Sequence, residues 1–121
     1  ENFPLNPEFQ PKRTGILRFE AQDDQTKARL IAENPDYGEI ICRCEKVSKA
    51  EILQAIHNPL GVSTVTGIKY RTRSMMGRCQ GGYCQMRIAK LLEEELGILP
   101  QKLRYAHRDS WIFTGTVRKE V

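Results

Sequence analysis

The sequence predicts a small, mostly α-helical domain built around a cysteine-held centre, with an irregular N-terminal arm and an irregular C-terminal tail. Three observations carry that expectation. Ser48-Lys49-Ala50-Glu51 is a capping box, in which the Ser hydroxyl and the Glu carboxylate satisfy two orphan backbone donors at a helix start. Cys84, Ile88, Leu91 and Leu92 fall on one helical face ahead of Gly97, a natural helix stop. All four cysteines lie in two tight pairs, Cys42-Arg43-Cys44 and Cys79-Gln80-Gly81-Gly82-Tyr83-Cys84. The 121 residues and 13.9 kDa suit one core.

The elements follow in chain order. Residues 1–15 carry Pro4, Pro7 and Pro11 with little periodicity and read as an extended linker. The opening Glu1-Asn2-Phe3-Pro4 lacks an initiating Met and a signal pattern, so the chain is expected to be a processed or excised piece of something longer. Residues 16–99 form the expected domain. Its first helix runs from about Asp23 to Glu33, with an acidic start and Asn34-Pro35-Asp36-Tyr37-Gly38 as its stop. Ile40-Ile41 leads into the first cysteine pair. The capped helix continues through Ile52, Leu53 and Ile56 and ends at His57-Asn58-Pro59-Leu60-Gly61. The segment from Val62 to Thr72 divides evenly between strand, on its Val and Thr content, and a short helix capped by Ser63 or Thr64. A last helix is expected from about Tyr83 to Leu96. Residues 100–121 form a basic tail ending in Trp111-Ile112-Phe113-Thr114-Gly115, which is β-prone and too apolar to be left exposed.

Charge and motif content narrow the function. The longest run of strongly apolar side chains is a few residues, as in Ile40-Ile41-Cys42, far short of the roughly 20 a membrane span needs. No acidic residue lies between Glu51 and Glu93, whereas Lys69, Arg71, Arg73, Arg78, Arg87 and Lys90 do, so this window carries more than the chain's whole net charge of +4. Something anionic is expected beside it. Lys69-Tyr70-Arg71-Thr72-Arg73 with Arg78 could contact nucleic acid, but one aromatic and a nearby anionic cofactor account for it more simply. His57 and His107 stand alone and read as surface or helix-end histidines; Met75-Met76 reads as core filling. Gly81-Gly82 lacks the strand and pattern of a dinucleotide loop, and no nucleophile with a base or catalytic carboxylate pair is present.

The paired cysteines leave several chemistries open. A 2Fe-2S cluster needs four thiolates, two per iron, and its formal charge of −2 suits the acid-free basic window. Glycines beside Cys79 and Cys84 would let backbone N–H groups approach the sulfurs. A tetrahedral zinc site also takes four thiolates, though its habitual spacing fits the second pair and not Cys-x-Cys. Disulfides would be strained within Cys-x-Cys, and nothing marks the chain as secreted. Buried free cysteines explain neither the pairing nor the glycines.

Three stretches carry a resemblance: Ile40-Ile41-Cys42-Arg43-Cys44-Glu45, Thr66-Gly67-Ile68-Lys69-Tyr70-Arg71-Thr72-Arg73, and Met76-Gly77-Arg78-Cys79-Gln80-Gly81-Gly82-Tyr83-Cys84. Together they resemble the bacterioferritin-associated-ferredoxin-like (BFD-like) 2Fe-2S domain. More narrowly, from about Arg13 to Leu99, they resemble the form at the C-terminus of FAD-dependent glycerol-3-phosphate dehydrogenases of the anaerobic type. Residues after Leu103 depart from that pattern.

The resemblance implies Cys42, Cys44, Cys79 and Cys84 as cofactor and metal ligands, and a helix for Val62 to Thr72. It implies an iron-sulfur electron-transfer or redox-linked structural role for an oxidoreductase whose FAD sits in an N-terminal domain outside this chain. The expected partners are that domain and an electron-accepting subunit, with no nucleic acid and no membrane span. The expected location is cytoplasmic, with membrane association only through a partner. This chain alone is expected to catalyse nothing. Two other classes compete: a stand-alone ferredoxin-like docking module, and a zinc-binding nucleic-acid module.

Overall fold

The computed structural model describes residues 3–115; the remainder of the expected tail, 116–121, and Glu1-Asn2 lie outside the described residues. Among the described residues there are four α-helices and one short two-stranded hairpin, so helix is the main regular structure, with one β element the sequence did not announce. Helix α1 spans Asp24–Glu33, with the Asp23 carboxylate accepting from the Thr26 N–H. It buries none of its own residues. Leu30 packs on a small cluster of Phe19, Tyr37 and Ala50, in which the Phe19 and Tyr37 rings stack at 5.7 Å. A turn of 3-10 helix over Pro35–Gly38, capped by Asn34, reverses the chain.

Strands β1 (Ile40–Cys42) and β2 (Val47–Ser48) pair antiparallel, with Ile40 opposite Ser48 and Cys42 opposite Val47. The register shift between them is a bulge, which bends the ribbon at the cysteine pair. Ser48 then caps α2, Lys49–Ile56. Both predicted halves of the capping box form: the Ser48 N–H donates to Glu51 Oε2 at 2.8 Å, and Ser48 Oγ accepts from the Glu51 N–H. Glu51 is buried, and Arg18 faces it at 3.9 Å. His57 ends this helix and meets Glu95 at 2.7 Å.

The ambiguous Val62 to Thr72 segment is helix α3 over Val65–Thr72, because the Thr64 hydroxyl accepts from the Gly67 N–H and Val65 and Ile68 are buried. Local β propensity loses to that cap and to packing on α2. Helix α4 covers Gln85–Leu96, buries Ile88, Ala89, Leu91 and Leu92, and ends at Gly97, whose φ of 63° lies in the left-handed region glycine tolerates. Ile41, Ile52, Ile68, Ile88, Leu92 and Leu103 are the fully buried centre of the main core, each contributing about 1.5–3 kcal/mol by leaving water. Cys42 and Cys84 belong to that same core. Of the apolar tail stretch, Ile112 and Phe113 pack against the core, while Trp111 stays half exposed against Arg104, whose guanidinium lies 4.8 Å from the ring.

Candidate metal centre

Each predicted cysteine pair contributes one buried and one exposed thiol. Cys42 closes β1 and Cys84 sits at the N-cap of α4, both with no exposed surface. Cys44 lies in the hairpin turn and Cys79 in the loop before α4, both exposed. The fold makes neighbours across the pairs: Cys42 lies beside Cys84, and Cys44 beside Cys79. Among the described residues no three His, Cys, Asp or Glu side chains group around a single point. A 2Fe-2S cluster takes two thiolates per iron around one compact centre, and the metal-free structure shows the four thiols as two neighbouring pairs.

Glycine lets the two loops meet. A Cβ on Gly77 would sit 2.1 Å from the Cys44 Cβ, so only hydrogen fits where the loop crosses the hairpin turn. Glycine is not the only device. Lys46 (φ 51°), Arg73 (65°), Met75 (67°) and Gln80 (48°) are the non-glycine residues with positive φ among the described residues, and all four flank the cysteines. The N–H groups of Gly81, Gly82 and Tyr83 face Cys79 and that of Met75 faces Cys84, whereas those of Arg73 and Gln80 bond to the Lys69 and Gly77 carbonyls. These positive-φ residues carry none of the Gly or Asn signals that mark this conformation in a sequence. Behind them, the buried Thr72 hydroxyl donates to the Ile68 carbonyl and meets Ser74 Oγ at 2.7 Å, pinning the exit of α3; Arg18 donates to the Thr72 carbonyl at 2.9 Å.

The two classes of thiol differ in their electrostatics. Cys79 is held below the usual thiol range, first by the Tyr83 N–H, then by Cys44 and by the N–H groups of Gly81 and Gly82. Burial pushes Cys84 up to about 12, with the neighbouring Cys42 adding to the rise and a Met75 N–H only partly offsetting it. Although Cys84 stands at a helix start, in the metal-free chain loss of water outweighs the helix end and favours the neutral thiol. The N–H donors converge on Cys79.

The basic window divides. Arg43 stacks on Tyr83 at 4.2 Å, and Arg87 lies 5.5 Å from the same ring while donating to the Ile40 carbonyl and to Glu39. Arg73 pairs with Glu45 at 3.3 Å, and Arg78 is next to Cys79 in the chain. Tyr70 and Arg71, by contrast, line a groove with Arg13 and Asn58 that contains no cysteine, and Lys90 pairs with Glu94. The acid-free run is thus only partly a lining for the thiols.

Residues 40–94 match the family described as the BFD-like 2Fe-2S binding domain. The chain is 40% identical over 113 residues to a glycerol 3-phosphate dehydrogenase of Caloramator mitchellensis, covering 93% of this chain and 24% of that protein. It is 44% identical over 82 residues to the hydrogen cyanide synthase subunit HcnB of Pseudomonas aeruginosa, covering 64% and 16%. It is 39% identical over 70 residues to one subunit of the anaerobic glycerol-3-phosphate dehydrogenase of Escherichia coli, covering 58% and 12%. The chain therefore spans a quarter or less of the length of these relatives. No solved structure matches it.

Proposed function

We propose, from the premise that this chain belongs through residues 40–94 to the BFD-like 2Fe-2S binding domain family, that it is the cluster-holding part of a flavin-dependent oxidoreductase. Cys42, Cys44, Cys79 and Cys84 would be the ligands. The observations supporting this reading are the family match of residues 40–94 and the two neighbouring thiol pairs, Cys42 with Cys84 and Cys44 with Cys79, on loops whose close approach Gly77 permits. Four soft thiolate donors fit iron-sulfur chemistry, and N–H groups already point at Cys79. When bound, the group supplies a site that accepts and returns one electron at a time.

The chain's own residues then have distinct tasks. Cys42 and Cys84, in the main core, exclude water and tie the site to α4. Cys44 and Cys79 bring the site to the surface, where an electron partner can approach. Tyr83, clasped by Arg43 and Arg87, holds the rim beside Cys84. Arg43 and Arg78 offset negative charge there.

The finer reading follows the glycerol-3-phosphate dehydrogenase relatives. In it, a flavin-bearing part of a longer polypeptide takes two electrons and two protons from glycerol 3-phosphate, leaving dihydroxyacetone phosphate, and this chain relays electrons to an accepting subunit or stabilises the redox assembly. The hydrogen cyanide synthase relatives show that similar domains occur in proteins named for another reaction, so the substrate must be set outside these residues. Anaerobic mixing with glycerol 3-phosphate tests it. The loaded 121-residue chain alone should keep its oxidised visible spectrum, and a polypeptide joining it to its flavoprotein portion should bleach. Failure of the joined polypeptide to bleach, with its flavin reduced, removes the relay role.

A further inference from the structure

We propose that a second site, distinct from the cysteines, binds the phosphate group of a small phosphate ester in the cleft between the start of α3 and the 102–108 segment. The cleft measures about 380 Å³ and is lined by Ser63, Thr64, Lys102, Arg104, His107 and Arg108, with no acidic residue in its lining. Among the described residues, none of Lys102, Arg104, His107 and Arg108 takes part in an ion pair. Other basic side chains near the core do find a carboxylate, as Lys49 does with Asp36 and Arg87 with Glu39. Like charges gathered in one concavity repel, and an anion relieves that repulsion.

The cleft is built rather than frayed. Leu103 is buried and anchors the segment. Arg104 bridges to Thr64 on one side and to Trp111 on the other, and its guanidinium stacks on the Trp111 ring. The following turn is organised by one hydroxyl: Ser110 Oγ accepts from the N–H groups of Ala106 and His107, each at 2.9 Å, and donates to the His107 carbonyl at 2.8 Å. The Tyr105 N–H donates to the Ser110 carbonyl at 2.7 Å, closing the turn. His107 and Arg108 are therefore presented by a pinned loop.

The donor chemistry selects the ligand. At the start of α3 the Val65 N–H donates to the Arg104 carbonyl, the Thr66 N–H to the Tyr105 carbonyl, and the Gly67 N–H to Thr64 Oγ1. The helix end is thereby consumed, and recognition falls to side chains. Because Thr64 Oγ1 accepts from Gly67, its own proton is available to donate, alongside that of Ser63. Guanidinium forks with two hydroxyls match the tetrahedral oxygens of a phosphate better than a planar carboxylate. The volume exceeds that of a lone ion, which points to an ester.

The test is a titration of the 121-residue chain, followed by amide resonances, with inorganic phosphate and with glycerol 2-phosphate, against chloride at matched ionic strength. Saturable shifts confined to residues 63–64 and 102–108 are expected with both phosphates, tighter with the ester. Arg108→Gln and Lys102→Gln should each weaken binding about tenfold, as loss of one charge-assisted bond does, while Arg71→Gln leaves it unchanged. Both target residues are exposed, and an unchanged melting temperature shows that neither substitution unfolds the domain. Equal shifts with chloride, indifference to both substitutions, or binding seen only with a polyanion such as a DNA oligonucleotide would overturn the proposal.

Discussion

Gly77→Ala is the most informative single substitution, because it changes one methyl group where the two cysteine loops touch. The added Cβ would lie 2.1 Å from the Cys44 Cβ, 3.3 Å from its Cα and 3.4 Å from its carbonyl carbon. The first of these distances is one that real carbon atoms do not adopt, and the obstructing atom is fixed to the backbone, so no rotamer relieves it. The hairpin turn must move from the 77–84 loop, taking Cys44 away from Cys79. Overpacking of this kind costs about 1–3 kcal/mol, which at roughly 4 °C per kcal/mol lowers the melting temperature by about 4–12 °C. The assay is thermal unfolding of the metal-free chain by circular dichroism, with iron content measured after anaerobic reconstitution. Gly15→Ala is the control, since its Cβ meets nothing within 4 Å. Gly77→Ala should melt well below that control and retain little iron. Melting within about 1 °C of the control together with full loading would refute the reasoning.

Three further outcomes follow from the same geometry. Cys44→Ser and Cys84→Ser should both lower iron retention, but only Cys84→Ser should destabilise the metal-free chain, by about 1–3 kcal/mol, because it places a hydroxyl in the core; equal metal-free melting of the two would contradict the inner and outer assignment. Glu51→Ala should cost about 1–3 kcal/mol in denaturant unfolding, since it strips both Ser48 donors of their acceptor. The Asp23 carboxyl is held below its ordinary value by the Thr26 N–H, so its contribution is present above pH ~4 and lost as pH falls through the lowered value. Asp23→Asn keeps a capping oxygen while removing the titration, and should flatten the dependence of melting temperature on pH below about 4.

Helices were readable wherever a side chain announced the end: Asp23, Ser48 with Glu51, and Gly97 all act as their chemistry requires. Thr64 resolved the one even case, through a hydrogen bond whose formation depends on burial of Val65 and Ile68. The hairpin at the first cysteine pair was not readable, because two-residue and three-residue strands carry no alternation and the turn residues Arg43, Glu45 and Lys46 are not turn formers. The left-handed turns at Arg73, Met75 and Gln80 were hidden for the same reason; they are held by the surrounding fold rather than by local preference. Cysteine spacing pointed to a common centre, yet which thiols face each other, and which are buried, depends on long-range packing. The burial that raises the Cys84 thiol in the metal-free chain was also not readable, because a sequence shows a helix end but not the loss of water around it. The pairing of Thr72 with Ser74 and the organising role of Ser110 likewise join residues whose hydroxyls read as ordinary surface groups.

Iron and acid-labile sulfide analysis of the chain, purified and held without oxygen, tests the central claim most directly. Two irons and two sulfides per chain, lost together when Cys42, Cys44, Cys79 or Cys84 is replaced by Ser, is the predicted result. Stoichiometric zinc without sulfide in protein never exposed to air, or full iron and sulfide in any of the four variants, would contradict it.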